Sequence, residues 1–346
     1  MEKAANKRAP LFFFLKIALA AAVVWILFSR GQQEILKCLR SFDYRFLVPA
    51  LFFQITAVLF SAWRWQTLAG VIQVKLTFFE ALSLTMQGNF FSLVIPGGAI
   101  GGDVVKMAVI SKRSKSGSRM EGVFTVFMDR VTGMISLFAL TLLLLVPGAG
   151  VLMKLHFGSL PCDPRMNMLL AAGIALLCLA GLGASCAIFF HEKIFRLPGI
   201  SFLIEKAELF SKGAVSRMTG ATDMYARYWK QLAFLVLLTT FFVHLMAAVP
   251  MAFLFAGAGV DVAPFTLVFA VVIGNIAGLI PLFPGGIGIR DLVTVTILSA
   301  GMVNAGDAKT AQLLSTALML LLNLAGGIFF ILDPGRGKKE LKREQQ

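Results

Sequence analysis

The sequence predicts an all-α polytopic membrane protein: a single transmembrane domain, residues 1–346, of about six full spans plus two re-entrant helical hairpins in an inverted repeat. Three observations predict it. Of the residues, 58% are hydrophobic and 14% charged, with a mean hydropathy of +0.82, whereas a soluble domain has roughly 45–50% apolar and about 25% charged residues. Stretches such as 168–190 and 232–256 are long and nearly uncharged, and about 20 apolar residues in a helix cross a bilayer. Two further apolar regions are each broken by a Pro-Gly-Gly cluster.

The full spans read at 11–28, 46–68, 122–146, 168–190, 232–256 and 311–332. The first follows a basic N-terminus but has no small-residue cleavage site before Arg30, so it reads as a retained anchor helix rather than a signal peptide. The broken regions are 76–110 and 265–300. Their second arms are only about ten residues, roughly 15 Å of helix, so each is drawn as a hairpin entering and leaving by one face.

Thirty-two Lys and Arg against 18 Asp and Glu give a net charge of +14. The basic residues sit beside the spans, as the preference of Lys and Arg for cytoplasmic loops requires, and this argues against nucleic acid as a partner. Lys106, Lys112, Arg113, Lys115 and Arg119 follow the first hairpin, and 191–230 and the tail after Asp333 are also basic. Residues 147–167 and 257–264 are poor in Lys and Arg. Cytoplasmic N- and C-termini in a plasma (inner) membrane satisfy all of these. One loop resists: 30–45 falls outside by parity yet carries Arg30, Lys37, Arg40 and Arg45. Segment 191–230 reads either as an interfacial helix on an anionic leaflet or as a solvated basic loop.

The two broken regions resemble one another. PGGAIGGDVV at 96–105 and PGGIGIRDLV at 284–293 share Pro, Gly, Gly, Asp and Val at the same offsets, and Gly88-Asn89 and Gly274-Asn275 precede them. With the charge-derived topology, span, hairpin and span occur twice in opposite orientation, over 46–146 and 232–332. Paired Gly/Pro-interrupted segments point to a transporter's midplane site, because irregular backbone at membrane depth survives only where protein or a wet cavity satisfies it. The tips, Pro96, Gly97, Gly98 and Pro284, Gly285, Gly286, are expected to meet inside the bundle, with Asp103 and Asp291 as N-caps of the outgoing arms. Helix N-termini facing a cavity favour an anionic group, a preference that Lys106 and Arg290 strengthen. Asp103 and Asp291 oppose it unless paired with those bases or with Arg130. The plainer alternative is a helix-ending turn with an Asp cap.

Charges inside apolar segments cost on the order of 3 kcal/mol on insertion scales and seek a partner or a cavity. Asp129 and Arg130 are adjacent, so their side chains diverge by about 100° on a helix. Each is expected to find a partner elsewhere, in a cavity or a fixed ion pair. Arg64 stands in Trp63-Arg64-Trp65, where an aromatic belt and a snorkelling Arg are the ordinary explanation. His244 in mid-span is a core residue or a proton relay, and Asn89, Asn275 and Asn323 are interhelical glue. Cys38, Cys162, Cys178 and Cys186 form no CxxC, and the three histidines form no HExxH. Neither metal nor cofactor is expected.

Trp63-Arg64-Trp65, GNFFSLVIPGGAIGGDVVK from Gly88, the Asp129-Arg130 span and PGGIGIRD from Pro284 resemble the lysylphosphatidylglycerol synthetase transmembrane region, also called the flippase-like or YbhN-type family. The likeness runs over nearly the whole chain. It implies a helical bundle, found alone or fused to an aminoacyl transferase domain, that translocates modified phospholipid between leaflets. The chain ends soon after its last span, so no such fused domain is expected. Carried over by position, Arg64, Asn89, Asp103, Asp129, Arg130, Arg290 and Asp291 are the cavity candidates, with Lys106 and Asn275 beside them. Many relatives have Glu where the three Asp stand. The expected substrate is a membrane lipid or lipid-linked intermediate with an anionic or phosphate-bearing headgroup. No catalytic constellation is recognisable, and no Walker motif supplies an ATP site. The alternatives are an accessory subunit presenting lipid to a partner transferase and a membrane-embedded lipid-modifying enzyme.

Overall fold

The computed structural model describes residues 32–95, 99–113, 119–155, 163–190, 214–280 and 286–332. The predicted first span, 11–28, most of the basic segment 191–230 and the C-terminal tail lie outside them. Helices follow one another throughout the described residues: α1 Gln32–Ser41, α2 Leu47–Val71, α3 Phe78–Val94, α4 Ala99–Arg113, α5 Arg119–Leu152, α6 Pro164–Ala187 and α7 Ala214–Arg227. After these come α8 Trp229–Thr239, α9 Ala248–Gly257, α10 Pro264–Gly278, α11 Ile289–Ala300 and α12 Ala305–Leu332, with a π-helical turn, Thr240–Leu245, joining α8 to α9. Among the described residues five segments are long and apolar enough to cross a membrane: Tyr44–Val71, Met120–Leu152, Pro164–Ala187, Trp229–Gly257 and Ala305–Leu332.

The local sequence explains the helix boundaries. Asp163 accepts from the Arg165 amide at 2.9 Å and Pro164 takes the first helical position, so α6 starts four residues before the predicted span. The predicted stop at Val146 is overrun, because α5 carries Pro147 inside it and continues to Leu152. Proline costs that helix one hydrogen bond. Next to it, Gly148 is pressed against the Phe269 ring. Thr77 and Glu80 form a reciprocal capping box that begins α3.

The two broken regions are hairpins. The arms α3 and α4 pack along each other, as do α10 and α11. The arms have 17, 15, 15 and 12 residues, roughly 18 to 26 Å at 1.5 Å per residue, each short of a hydrocarbon core of about 30 Å. The partnerships recur in the two halves. Helix α4 packs on α5 and α11 on α12; α2 packs on α5 and α9 on α12; each first arm lies against the other half's long helix, α3 on α12 and α10 on α5.

Contacts define two ends of the bundle. At one, the Asp43 amide donates to the Gly257 carbonyl at 2.8 Å, Asn167 donates to the carbonyls of Met153 and Leu155, and Gly301 lies against Thr266. At the other, Gln66 donates to the Leu76 carbonyl at 3.1 Å and Tyr225 to the Leu68 carbonyl at 2.8 Å. Hairpin α3–α4 has its feet at the Tyr225 end and hairpin α10–α11 at the Gly257 end. Residues 42–46 stand with the Lys/Arg-poor 257–264 loop, the side that parity requires for the loop that resisted. There Arg45 is paired with Asp43 at 2.9 Å.

The hairpins are held by matched glycines. A Cβ on Gly102 would overlap the Gly88 carbonyl, and one on Gly88 would sit 3.0 Å from Lys106 Cδ. In the second hairpin, a Cβ on Gly274 would overlap Thr294 Oγ1 and lie 3.3 Å from the Arg290 carbonyl. Gly88 and Gly274, Gly102 and Arg290, Lys106 and Thr294 occupy corresponding positions. The Gly of each Gly-Asn pair is thus the point where the arms touch. Gly286, with φ 72°, sits 2.9 Å by its virtual Cβ from the Gly278 carbonyl, so glycine is required there twice over. The tips Pro96, Gly97, Gly98, Pro284 and Gly285 lie outside the described residues.

Candidate functional site

The predicted site residues gather in two groups. The first lies where α2, α4 and α5 meet. Arg64 of α2, 7% exposed, donates from Nε to Asp129 Oδ1 at 2.8 Å. Its Nη1 reaches Thr239 Oγ1 of α8 at 3.5 Å, and Gly133 leaves room for the guanidinium. Arg64 is therefore an internal ion-pair residue and not the snorkelling residue of an aromatic belt. Beside it Trp65 is fully buried and donates to Thr125 Oγ1 at 3.0 Å, while Trp63 is 38% exposed. Neighbouring tryptophans thus face opposite ways.

Lys106 of α4 is 6% exposed. Its ammonium stands 3.8 Å from Asp129 Oδ2 and 4.1 Å from the centroid of Trp65, a cation over an aromatic face. Gly88 makes the groove for its methylene stem. One turn earlier on α4, Asp103 receives two hydrogen bonds from Arg130, one of them Nη2 to Oδ1 at 2.8 Å. Asp103 has a 9% exposed side chain, Arg130 a 48% exposed one. Asp129 and Arg130 each find a partner on another helix. Asp103 is no N-cap: it is the fifth residue of α4 and serves as a bridge to α5.

The second group is built on α11 and α12. Asp291 is wholly buried; its Oδ1 accepts from Gln312 at 2.8 Å, Thr316 at 3.1 Å and Arg290 Nη2 at 3.0 Å, and its Oδ2 from the Gly288 amide at 3.2 Å. It is the third residue of α11 and reaches back to the amide that precedes the helix, which corrects the N-cap expectation. Arg290 and Asp291 pair although adjacent, because the long guanidinium folds back over the first turn. Arg290 also donates to Thr316 Oγ1 at 3.2 Å and to Met319 Sδ. Four of its five N–H groups are used.

Arg290 and Asn275 line a cavity of about 130 Å³ between α2, α9, α10, α11 and α12, walled also by Phe53, Gln54, Thr294 and Gln312. Asn89 follows the glycine that seats Lys106. Among the described residues no ion pair joins the Arg64–Asp129 group to Arg290 or Asp291. The sequence reading missed Gln312, Thr316 and Thr239. The available signal was a Gln and a Thr one turn apart in an apolar span, a polar stripe needing a buried partner. His244 lies 3.2 Å from the Gly133 carbonyl. Among the described residues no three His, Cys, Asp or Glu side chains gather as metal ligands.

Apolar helices of spanning length, enclosing ionised groups that pair with one another, define a multi-pass helical membrane protein. The chain matches the family model for the lysylphosphatidylglycerol synthase TM region over residues 13–327, and it belongs to that family. It is similar to UPF0104 membrane protein PH1989 of Pyrococcus horikoshii, at 24% identity over 338 residues, covering 92% of this chain and 96% of the relative. A shorter similarity, 36% identity over 75 residues, links 20% of this chain to 12% of Glycosyltransferase AglD of Haloferax volcanii.

Proposed function

We propose that the protein is a lipid or lipid-linked-intermediate translocase that receives an anionic headgroup among the basic residues of its two hairpins while the acyl or prenyl tails stay in the bilayer. The observation that carries this reading is Arg290, held by Asp291 and Thr316, with Gln312 on the same carboxylate, as part of the wall of a cavity of about 130 Å³ inside an apolar bundle. A part-buried guanidinium fixed at a cavity is a phosphate-recognising arrangement. In this reading the hairpins are re-entrant, the halves 46–146 and 232–332 form an inverted repeat, and both termini are cytoplasmic in the plasma membrane. The feet of the hairpins at opposite bundle ends and the recurrent helix partnerships support it. Transport then follows alternating exposure of the site, without catalysis.

The similarity to part of a protein named as a glycosyltransferase favours one second reading, an accessory subunit that presents lipid to a separate transferase. Leaflet exchange of fluorescent phospholipids and polyprenyl phosphates by purified protein in proteoliposomes separates the two. Exchange of one lipid class, abolished by Arg290→Ala in a folded variant, is the expected result. No exchange of any class overturns the translocase and leaves the subunit; a lipid product of altered mass overturns both in favour of an enzyme.

A further inference from the structure

The two hairpins share a scaffold but not a charge. In α10–α11, Arg290 and Asp291 neutralise each other, and Thr294 occupies the position of Lys106. In α3–α4 and the helices around it, three cations, Arg64, Lys106 and Arg130, face two carboxylates, Asp103 and Asp129. These four are the charged groups of α2, α4 and α5 that face Lys106. Arg130 is engaged by Asp103, and Arg64 has the short bond to Asp129. Lys106 is left with a carboxylate oxygen at 3.8 Å and a ring face at 4.1 Å, and it donates no hydrogen bond to a described residue. An ammonium has three donors to satisfy, and an unmatched charge in an apolar bundle is costly.

From this we infer that Lys106 is an oxyanion site for a group with a single negative charge, which fits a phosphodiester headgroup and not a phosphomonoester. One negative charge brings the cluster to neutrality. A dianion would leave a net negative charge in the same low-dielectric surroundings, and a zwitterionic headgroup would bring a cation into a cluster already positive. The cluster opens to the surface through Arg130, whose side chain is 48% exposed. Gly88 keeps the lysine stem in its groove, so the ammonium is fixed over Trp65 and cannot swing away to a distant carboxylate. This inference rests on the translocase reading for the identity of the ligand as lipid and deepens it. It gives the anionic headgroup of that reading a contact on hairpin α3–α4 as well as the one at Arg290 on hairpin α10–α11.

Trp65 beneath the ammonium is a built-in reporter. The measurement is Trp65 fluorescence of the full chain in detergent, with Trp25, Trp63 and Trp229 replaced by Phe, titrated with short-chain phosphatidylglycerol, phosphatidylcholine and, at pH 8, phosphatidate, which is then dianionic. Saturable quenching by phosphatidylglycerol, at least about tenfold tighter than by either other lipid, is expected; equal response to all three overturns the inference. Dimethyl phosphate and chloride are the tailless arms. If they act as strongly as the lipid, the site is one for free anions and the lipid assignment falls. Lys106→Met abolishes the response and Lys106→Arg retains it.

Thermal melting of ligand-free Lys106→Met distinguishes a binding lysine from a structural one. A midpoint at or above wild type is expected, and a lower one makes Lys106 a structural partner of Asp129 and overturns the site. Lipid exchange in proteoliposomes is scored in parallel. Exchange without the Trp65 response removes the Lys106 site and leaves the translocase, whereas the response without exchange does the reverse.

Discussion

Arg64 near the end of α2 and Asp129 in α5 meet at 2.8 Å with both side chains 9% exposed, and this bond ties the first hairpin's frame together. Asp129 also faces Lys106 at 3.8 Å, so the two partners are not equivalent. Arg64→Leu leaves Asp129 a second cation to approach, whereas Asp129→Leu leaves two cations facing each other. Removing one partner of a buried pair costs about 3–5 kcal/mol. Both variants should lower the melting midpoint of the detergent-solubilised protein, Asp129→Leu the more. The reverse order would mean that Lys106 does not sense Asp129.

The glycine contacts predict a sharp division among Gly→Ala variants. At Gly102, Gly274 and Gly326 the added methyl would overlap Gly88, Thr294 and the Met86 carbonyl respectively, so helices must separate and folded yield should fall. At Gly173, exposed on α6 with nothing within 4 Å, the same change is expected to be neutral or to stabilise by up to about 1 kcal/mol. Size-exclusion profiles of the four variants check this. Equal profiles would show that the close helix approaches are not needed.

Gln312→Leu removes a donor to the buried Asp291 carboxylate at 2.8 Å. Hydrogen bonds to charged groups contribute about 1.5–3 kcal/mol, so a loss of that size in denaturation is expected. Lipid exchange should fall as well, because Asp291 is what holds Arg290 in place. Unchanged exchange in a folded variant would separate Arg290 from the transport step.

The opposed hairpins predict opposite labelling. In a background with Cys162 and Cys186 replaced, Gln73→Cys at the Tyr225 end and Met302→Cys at the Gly257 end should react with impermeant maleimide from opposite faces of the membrane. Met302 is 84% exposed and Gln73 also stands clear of the packed core. Labelling of both from one face would overturn the arrangement.

The helical class, the positions of five of the six spans and the two pairs of short helices were legible because long apolar runs and Pro-Gly-Gly breaks are local signals. The repeated Gly-Asn was legible as a likeness, but its meaning, contact between arms, lies in three dimensions. Arg64 was misread because the local cue, tryptophans on both sides, is the same for a snorkelling arginine and a buried one; only the position of Asp129, 65 residues away, decides. Reading Asp103 and Asp291 as caps places the helix starts too late, because the Gly-rich run conceals where helical geometry resumes. Gln312 and Thr316 were passed over because a span reads as apolar on average, and two polar residues one turn apart hardly lower that average.

The wide turn Thr240–Leu245 gives one span two allegiances. An α-helix advances about 100° per residue, and a π-helical turn takes in one residue more than an α-helical one, so α8 and α9 are out of phase with each other. Before the slip the helix faces α5, where Ser136 donates to the Val236 carbonyl at 3.0 Å and Thr239 accepts from Arg64. After it, Pro250 and Met251 turn to α2 and α12 and close the Arg290 cavity. Without that phase slip a straight helix could serve one cluster or the other, and α2 would be left to border both without it.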